Sequence, residues 1–222
     1  LAIVLKLTET TGCITLMERE SRHRSLFNGL MALFPIINPV GAVASFATLT
    51  ADLSKKELRC QARYTSLYAF AILAAFTILG SFILDMFRLE LPAIQIAGGF
   101  VVAHSGYRML VPTSDHGDPE AHQDNDIAFT PMALPLIAGP GAIGEVIGLS
   151  ARYTEPRERL AILIAVLVIS IVIMALLRWC TPLVHKLGPG GILGLTRIMG
   201  FIILCIGVEL MIHGVSTLAI GL

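Results

Sequence analysis

Two short stretches place proline and glycine in the middle of apolar runs, where they would interrupt a helix. They are residues 34–42, with the sequence FPIINPVGA, and residues 134–142, with the sequence LPLIAGPGA. Proline removes a backbone donor and clashes with the preceding turn, so no regular helix passes through either stretch. The N–H groups freed at the start of a half-helix suit a carboxylate, and freed carbonyls suit a cation. Together they predict a binding site for a zwitterion such as an amino acid, with these candidate residues: Pro35, Asn38, Pro39, Gly41, Pro135, Gly139, Pro140 and Gly141.

Each stretch taken alone has a simpler alternative. Proline and glycine also kink membrane helices without any role in binding, whereas breaks at equivalent places in two halves favour a site. Asn38 is the one strong hydrogen-bonding side chain of the first stretch, and Ala138 takes its place in the second. The amide of Asn38 either orients a bound solute or caps the helix that follows, a role that asparagine favours.

Four ionisable residues lie within or near other apolar segments: His104, Glu145, Glu209 and His213. Such side chains are expensive in lipid and usually face the interior of a bundle or a cavity. Because a carboxyl or an imidazole serves a proton-coupled carrier, the better placed His104 and Glu209 are the candidate coupling residues. The alternative is solvation at headgroup depth, which is the preferred interpretation for Glu145 and His213.

Other chemistries find no support in the sequence. His116 and His122 stand among aspartates in a polar stretch, but without a recognised metal-ligand spacing. No nucleophile elbow, P-loop or dinucleotide fingerprint is present, so we expect no enzymatic activity, cofactor or metal. The formal net charge is zero, which gives no support to nucleic-acid binding. The four cysteines are far apart and are interpreted as small apolar residues.

The composition indicates the elements that must position these residues. Of the 222 residues 55% are hydrophobic and 14% charged, and the mean hydropathy is +0.78, whereas a typical soluble domain carries about 25% charged residues. We therefore expect an integral protein of the lipid bilayer, with an all-α fold because helices satisfy their own backbone groups in lipid. A helix of about 20 residues spans a bilayer. The sequence contains six apolar segments near this length, and we predict membrane helices at residues 27–49, 64–84, 93–111, 127–150, 160–182 and 196–215.

The two halves of the chain repeat one another. The interrupted stretches align without a gap at an offset of 100 residues, which matches Pro35 with Pro135, and residues 96–100 resemble residues 198–202. Three helices per repeat force the second half into the membrane upside down relative to the first, as in many secondary transporters. We therefore predict two inverted three-helix repeats with broken first and fourth helices; chance similarity of apolar stretches is the alternative.

The predicted organisation follows from these segments. A polar, basic stretch at residues 52–63 separates the first two apolar segments, and a glycine-rich turn is expected at residues 188–194. Lys and Arg divide evenly between the two sides, so charge alone does not set the orientation. The predicted parts are an N-terminal extension, in part artefactual, at 1–25, the first repeat at 26–111, an acidic linker at 112–126, the second repeat at 127–215 and a C-terminal tail at 216–222.

Four ordered motifs carry a resemblance to a known family: FPIINPVGA, IQIAGGFVVAHSGYRML, ALPLIAGPGAI and LTRIMGFIILCIGVELMIHGV. Through them residues 26–215 resemble the MarC family of bacterial inner-membrane proteins. The resemblance implies six membrane helices, an inner-membrane location with both termini in the periplasm, and no enzymatic chemistry. Some relatives are described as neutral amino-acid transporters. This chain departs from the family pattern at Glu209, where glutamine is expected, and at His213, where asparagine is usual. If the family has a coupling mechanism, these two changes either alter it or are neutral.

The sequence thus favours a secondary transporter of a small, amino-acid-like solute that binds near the membrane midplane, at the interface of the two repeats. The alternative is a non-transporting membrane scaffold or regulatory protein whose breaks are packing kinks. An ion channel is disfavoured because no ring of charges and no carbonyl filter is visible. Formation of a homo-oligomer stays open.

Overall fold

The described part of the chain is built from helices. The computed structural model describes residues 24–111, 127–153 and 155–221. The predicted extension up to residue 23 and the acidic linker 112–126, with His116 and His122, lie outside the described residues. Within the described ranges no strand occurs, and the helices are α1 (Arg24–Ile37), α2 (Pro39–Leu49), α3 (Lys55–Phe87), α4 (Leu91–Leu110), a π-helical segment (Ala128–Ile137), α5 (Pro140–Arg152), α6 (Pro156–Arg178) and α7 (Cys180–Gly221).

Several of these helices are long and apolar enough to cross a membrane. They are α3, α6 and the part Gly190–Ala219 of α7. The pair α1 and α2, bent by 42° at its break, makes a fourth if it is counted as one span. The prediction of an all-helical, multi-pass membrane protein is therefore confirmed, whereas the number of six spans stays a prediction.

Local backbone chemistry moves some helix ends away from where the apolar pattern puts them. The N–H of Ser54 donates to Glu57 Oε2 at 2.9 Å, and the N–H of Glu57 donates to Ser54 Oγ at 3.4 Å. This capping box satisfies donors at a helix start, so α3 begins at Lys55, inside the polar, basic stretch 52–63 and ahead of the apolar segment predicted from residue 64. In α7 only Gly188 departs from helical geometry, with φ 67°, so the predicted turn is confined to that residue.

The most extensive helix contact joins α4 to α7, and glycine makes it possible. A Cβ added to Gly99 would lie 2.6 Å from the carbonyl oxygen of Gly207, and one added to Gly106 would lie 2.6 Å from that of Gly200. No side chain fits between these backbones, which is how small residues let membrane helices approach closely. We call these four glycines the glycine seam. Their pairing order makes the two helices antiparallel.

The broken helices flank this pair. α2 packs against α6 and α7, and α5 packs against α3 and α4. The buried core lies beside them, and its fully buried side chains include Leu33, Phe46, Met132 and Ile162. Both interrupted stretches are thereby brought next to α4 and α7.

Candidate functional site

The first break is closed by its own asparagine. Asn38 has a left-handed backbone, with φ 53° and ψ 67°, a conformation that asparagine tolerates better than most residues that have a side chain. Its Oδ1 accepts a hydrogen bond from the N–H of Gly41 at 3.1 Å and so caps α2, which starts at Pro39. A Cβ on Gly41 would collide with the Asn38 side chain, so glycine there makes room for the cap. In the structure Asn38 therefore caps α2.

The second break has a different local structure. Thr130 and Leu134 adopt extended backbones, with φ and ψ of −124° and 127° and of −126° and 124°, because each precedes a proline. They open the chain between residues 128 and 137 into π-helical turns, within which Pro135 lies. α5 then starts at Pro140, and its N-cap Gly139 supplies no side-chain hydrogen bond. The first N–H groups of a helix have no partner inside it, so those of α5 are left for another group.

The two breaks meet at a cavity of about 380 Å³, which we call the break cavity. Of the predicted residues, Asn38, Gly139, Pro140 and Gly141 line it. Pro35, Pro39 and Gly41 instead belong to the first break itself. The structure thus brings together part of the predicted set, from both halves of the chain.

Two polar residues that line the break cavity were not predicted from the sequence. Ser105 and Arg108 of α4 line it opposite the start of α5. Three residues apart on one helix, they share a face with Val101 and Val102. That spacing was a usable signal, but only the packing of α5 on α4 shows which face meets the break.

A second, smaller space of about 230 Å³ lies between α4, α5 and α7, and we call it the charged cavity. Glu145 and Arg152 of α5 line it together with Glu209 and His213 of α7. Seven residues separate the first two and four the others, so each pair projects from one helix face. Glu145 and His213, interpreted from the sequence as separately solvated, therefore share one cavity with Glu209.

One hydrogen bond joins two of the side chains that line the charged cavity. Arg152 Nη2 and His213 Nε2 are 3.0 Å apart. A guanidinium group can only donate, so Nε2 must accept. An imidazole that accepts at Nε2 is neutral and carries its proton on Nδ1.

His104 lies apart from these groups. It is exposed on α4, and its ring stacks on Phe100 with the centroids 6.4 Å apart. The two candidate coupling residues are therefore not brought together: Glu209 lines the charged cavity, and His104 does not.

Gly141 lies where the two cavities meet. It lines both the break cavity and the charged cavity. A Cβ added there would lie 2.5 Å from Val102 Cγ2 of α4. The contact between Gly141 and Val102 therefore leaves no space for any side chain at this position.

Comparison with known proteins places the chain among relatives. The MarC family of integral membrane proteins matches residues 23–219. Inner membrane protein MarC of Citrobacter koseri is 34% identical over 203 residues, which cover 84% of this chain and 92% of that protein. The proteins of the same name from Salmonella typhimurium and Escherichia coli O1:K1 are 33% and 32% identical over the same shares. No solved structure matches the chain.

Proposed function

The chain belongs to the MarC family of integral inner-membrane proteins, and from that premise we propose that it is a secondary transporter of a small zwitterionic solute such as a neutral amino acid. The observation that carries the proposal is the break cavity, in which the uncapped start of α5 and the side chain of Arg108 line one space. A break that only kinks a helix needs neither a cavity nor a cation beside it.

The two charges of a zwitterion have different partners available. The N–H groups of Gly141 and Ala142 stand at the positive end of the α5 dipole, and Arg108 adds a full positive charge, so both suit a carboxylate. The ammonium group suits backbone carbonyls freed by the interrupting prolines. Asn38 Nδ2 points at the thioether of Met109 at 3.2 Å. A thioether is a weak acceptor, so this amide can turn its donor to a solute.

The dimensions of the break cavity support a small solute. Pockets for drug-sized ligands have volumes of roughly 300–1,000 Å³, and the break cavity, at about 380 Å³, lies near the lower end. Apolar side chains such as Val101, Ile137 and Ile203 form much of its wall. They suit a solute whose own side chain is short and uncharged.

We also propose that the two halves are inverted repeats. Exchanging α2 with α5, α3 with α6 and α4 with α7 converts the packing of α2 on α6 and α7 into that of α5 on α3 and α4. The contacts of Gly99 with Gly207 and of Gly106 with Gly200 join α4 and α7 in antiparallel directions, as an inverted relation of these two helices requires. This exchange of contacts supports a two-fold relation between the halves.

We also propose that the chain crosses the membrane six times. α4 has 20 residues, which reach about 30 Å, the thickness of the hydrocarbon layer. The π-helical segment and α5 together make the broken counterpart of α1 and α2. An even number of spans leaves both termini on one side, and we assign that side to the periplasm.

Transport would proceed by rocking one half against the other around the solute. The break cavity and the charged cavity meet at Gly141 but extend toward opposite ends of α4. Opening one while closing the other at the contact of Gly141 with Val102 gives alternating access. Glu209, in the charged cavity, is well placed for coupling; the surroundings of His104 support no such role.

One observation favours the alternative of a non-transporting scaffold. The first break is satisfied internally by the Asn38 cap, which is what a packing kink requires. A scaffold would carry no solute across a vesicle membrane, so a flux measurement separates the two functions.

Uptake of labelled alanine by proteoliposomes tests the proposal. Arg108→Gln removes a charged hydrogen-bond donor worth about 1.5–3 kcal/mol, so KM should rise roughly ten- to hundredfold. Arg178→Gln is the matched control, because Arg178 is exposed at the end of α6 and lines neither cavity. Wild-type flux equal to that of empty vesicles for alanine and for other small zwitterions supports the scaffold instead.

A further inference from the structure

The charged cavity holds four titratable or charged side chains that solute recognition does not use. It is bounded by the first turns of α4, by one face of α5 from Gly141 to Arg152 and by the last third of α7. His213 lies near the end of the span Gly190–Ala219, so water can reach this cavity from one face of the membrane. Gly141 lines both the charged cavity and the break cavity.

The charged cavity holds more acidic than basic side chains. Glu145 and Glu209 supply two carboxyl groups and Arg152 one guanidinium group, and His213 accepts a hydrogen bond from Arg152. Ionisable side chains inside a membrane bundle pair with one another, so two carboxyl groups beside one guanidinium group can balance a second positive charge in this cavity.

We propose that the charged cavity is a proton-binding site in which His213 takes up one proton from water and Arg152 moves from the imidazole to a carboxylate. The lone pair of His213 Nε2 forms the new N–H bond, and the hydrogen bond from Arg152 Nη2 is lost. Two cations are then adjacent and repel, whereas both carboxylates attract Arg152. Proton uptake thereby changes the contact between the end of α5 and the last third of α7.

The neighbours of His213 identify the imidazole as the proton acceptor. Glu209 lies one turn before it on α7, and α5 contributes Glu145 and Arg152. From α4 the wall is formed by uncharged residues: Ile94, Gln95, Gly98 and Gly99. Imidazole is the group among these that ordinarily titrates between about pH 5 and 8, and the permanent charge of Arg152 beside the carboxylates disfavours a metal cation in that place.

Thermal unfolding of the purified full chain in detergent tests the binding step without a solute. If the folded protein holds the proton more tightly than the unfolded chain, Tm falls as pH rises through one step between about pH 5 and 8. His213→Gln should remove this step, because glutamine can accept from Arg152 but does not titrate. His104→Gln is the matched control and should keep the step, since His104 lies outside the cavity.

Two further arms keep the test decisive. Glu209→Gln should move the step to lower pH, because the imidazolium loses a neighbouring negative charge. Replacing choline by Na⁺ at constant ionic strength should leave Tm unchanged. A step that survives His213→Gln, a step of opposite sign, or a Na⁺ effect that Glu209→Gln abolishes overturns the proposal.

Coupling of the proton to solute movement rests on the proposed transport function and is measured separately. In proteoliposomes an imposed pH gradient should change alanine flux for the wild type and not for His213→Gln. If the unfolding step is present but no solute moves, the proton site stands and the transport function fails. If solute moves at the same rate with and without the gradient, the coupling is overturned.

Discussion

Each helix break contains two prolines, four residues apart in the first break and five in the second, and the helices that follow the breaks start in different ways. α2 starts on Asn38, whose side chain satisfies the N–H of Gly41 at 3.1 Å. α5 starts on Gly139, which has no side chain to offer. The first break is therefore complete without a ligand, whereas the second leaves N–H groups facing the break cavity.

This difference teaches that two similar sequence stretches can build an asymmetric site. Each half of the chain contains a helix break, and the side chain at the N-cap decides which helix start remains available to a solute. An amino acid is itself asymmetric, with one anionic and one cationic end. We infer that the carboxylate goes to α5 and that the first break serves mainly to shape the cavity.

The largest effect is expected from closing the second break. In Gly141→Ala the new Cβ would lie 2.5 Å from Val102 Cγ2, and overpacking of this kind costs about 1–3 kcal/mol. Uptake should fall at least tenfold, because the residue lies where the two cavities meet. Val102→Ala removes the colliding methyl group, so the double variant should recover flux. Gly190→Ala, which has open space around its Cβ position, is the control. Wild-type flux in Gly141→Ala would contradict the site.

A smaller effect is expected at the first break, where stability and binding can be separated. Asn38→Ala loses the cap, which costs about 1 kcal/mol, and Tm should fall. Asn38→Asp keeps a capping oxygen but replaces the amide donor by a negative charge, so Tm should stay near wild type while KM for alanine rises. If both variants change KM equally and leave Tm alone, the cap is not what Asn38 provides.

The smallest change transfers the cap from one break to the other. Gly139 has an extended backbone, with φ −75° and ψ 173°, which asparagine adopts without strain. Gly139→Asn should therefore raise the free energy of unfolding by a few tenths of a kcal/mol, roughly the difference between asparagine and glycine at an N-cap. KM should rise, because the new side chain competes with the solute carboxylate for the α5 N–H groups. A fall in KM would mean that α5 does not receive the carboxylate.

The helix breaks and the membrane class were predictable because their causes are local. Proline is disfavoured inside a helix but tolerated in its first turn, so new helices begin at Pro39 and Pro140. An apolar run of about 20 residues needs no partner to indicate a span. The extended backbones of Thr130 and Leu134 also follow from the proline after each. The start of α3 was missed because its capping box lies in a charged stretch without an apolar pattern.

The walls of the two cavities were not predictable in the same way, because they depend on how each helix is rotated. His104 and Glu209 look alike in the sequence, each an ionisable residue within an apolar run. In the packed helices Glu209 lines the charged cavity, whereas His104 lies outside it and stacks on Phe100. Arg108 and Arg152 resemble ordinary interfacial cations until the crossing of α4 and α5 sets them against a cavity.

The glycine seam between α4 and α7 has a consequence for how the halves can move. Where interlocking side chains join two helices, sliding requires rotamers to change and cavities to open and refill. At Gly99, Gly106, Gly200 and Gly207 backbone lies against backbone, with the side chains of Met109 and Met211 beside them, so few rotamers have to change. The glycine seam therefore favours sliding of α4 along α7 by the small translations that are typical of packed helices.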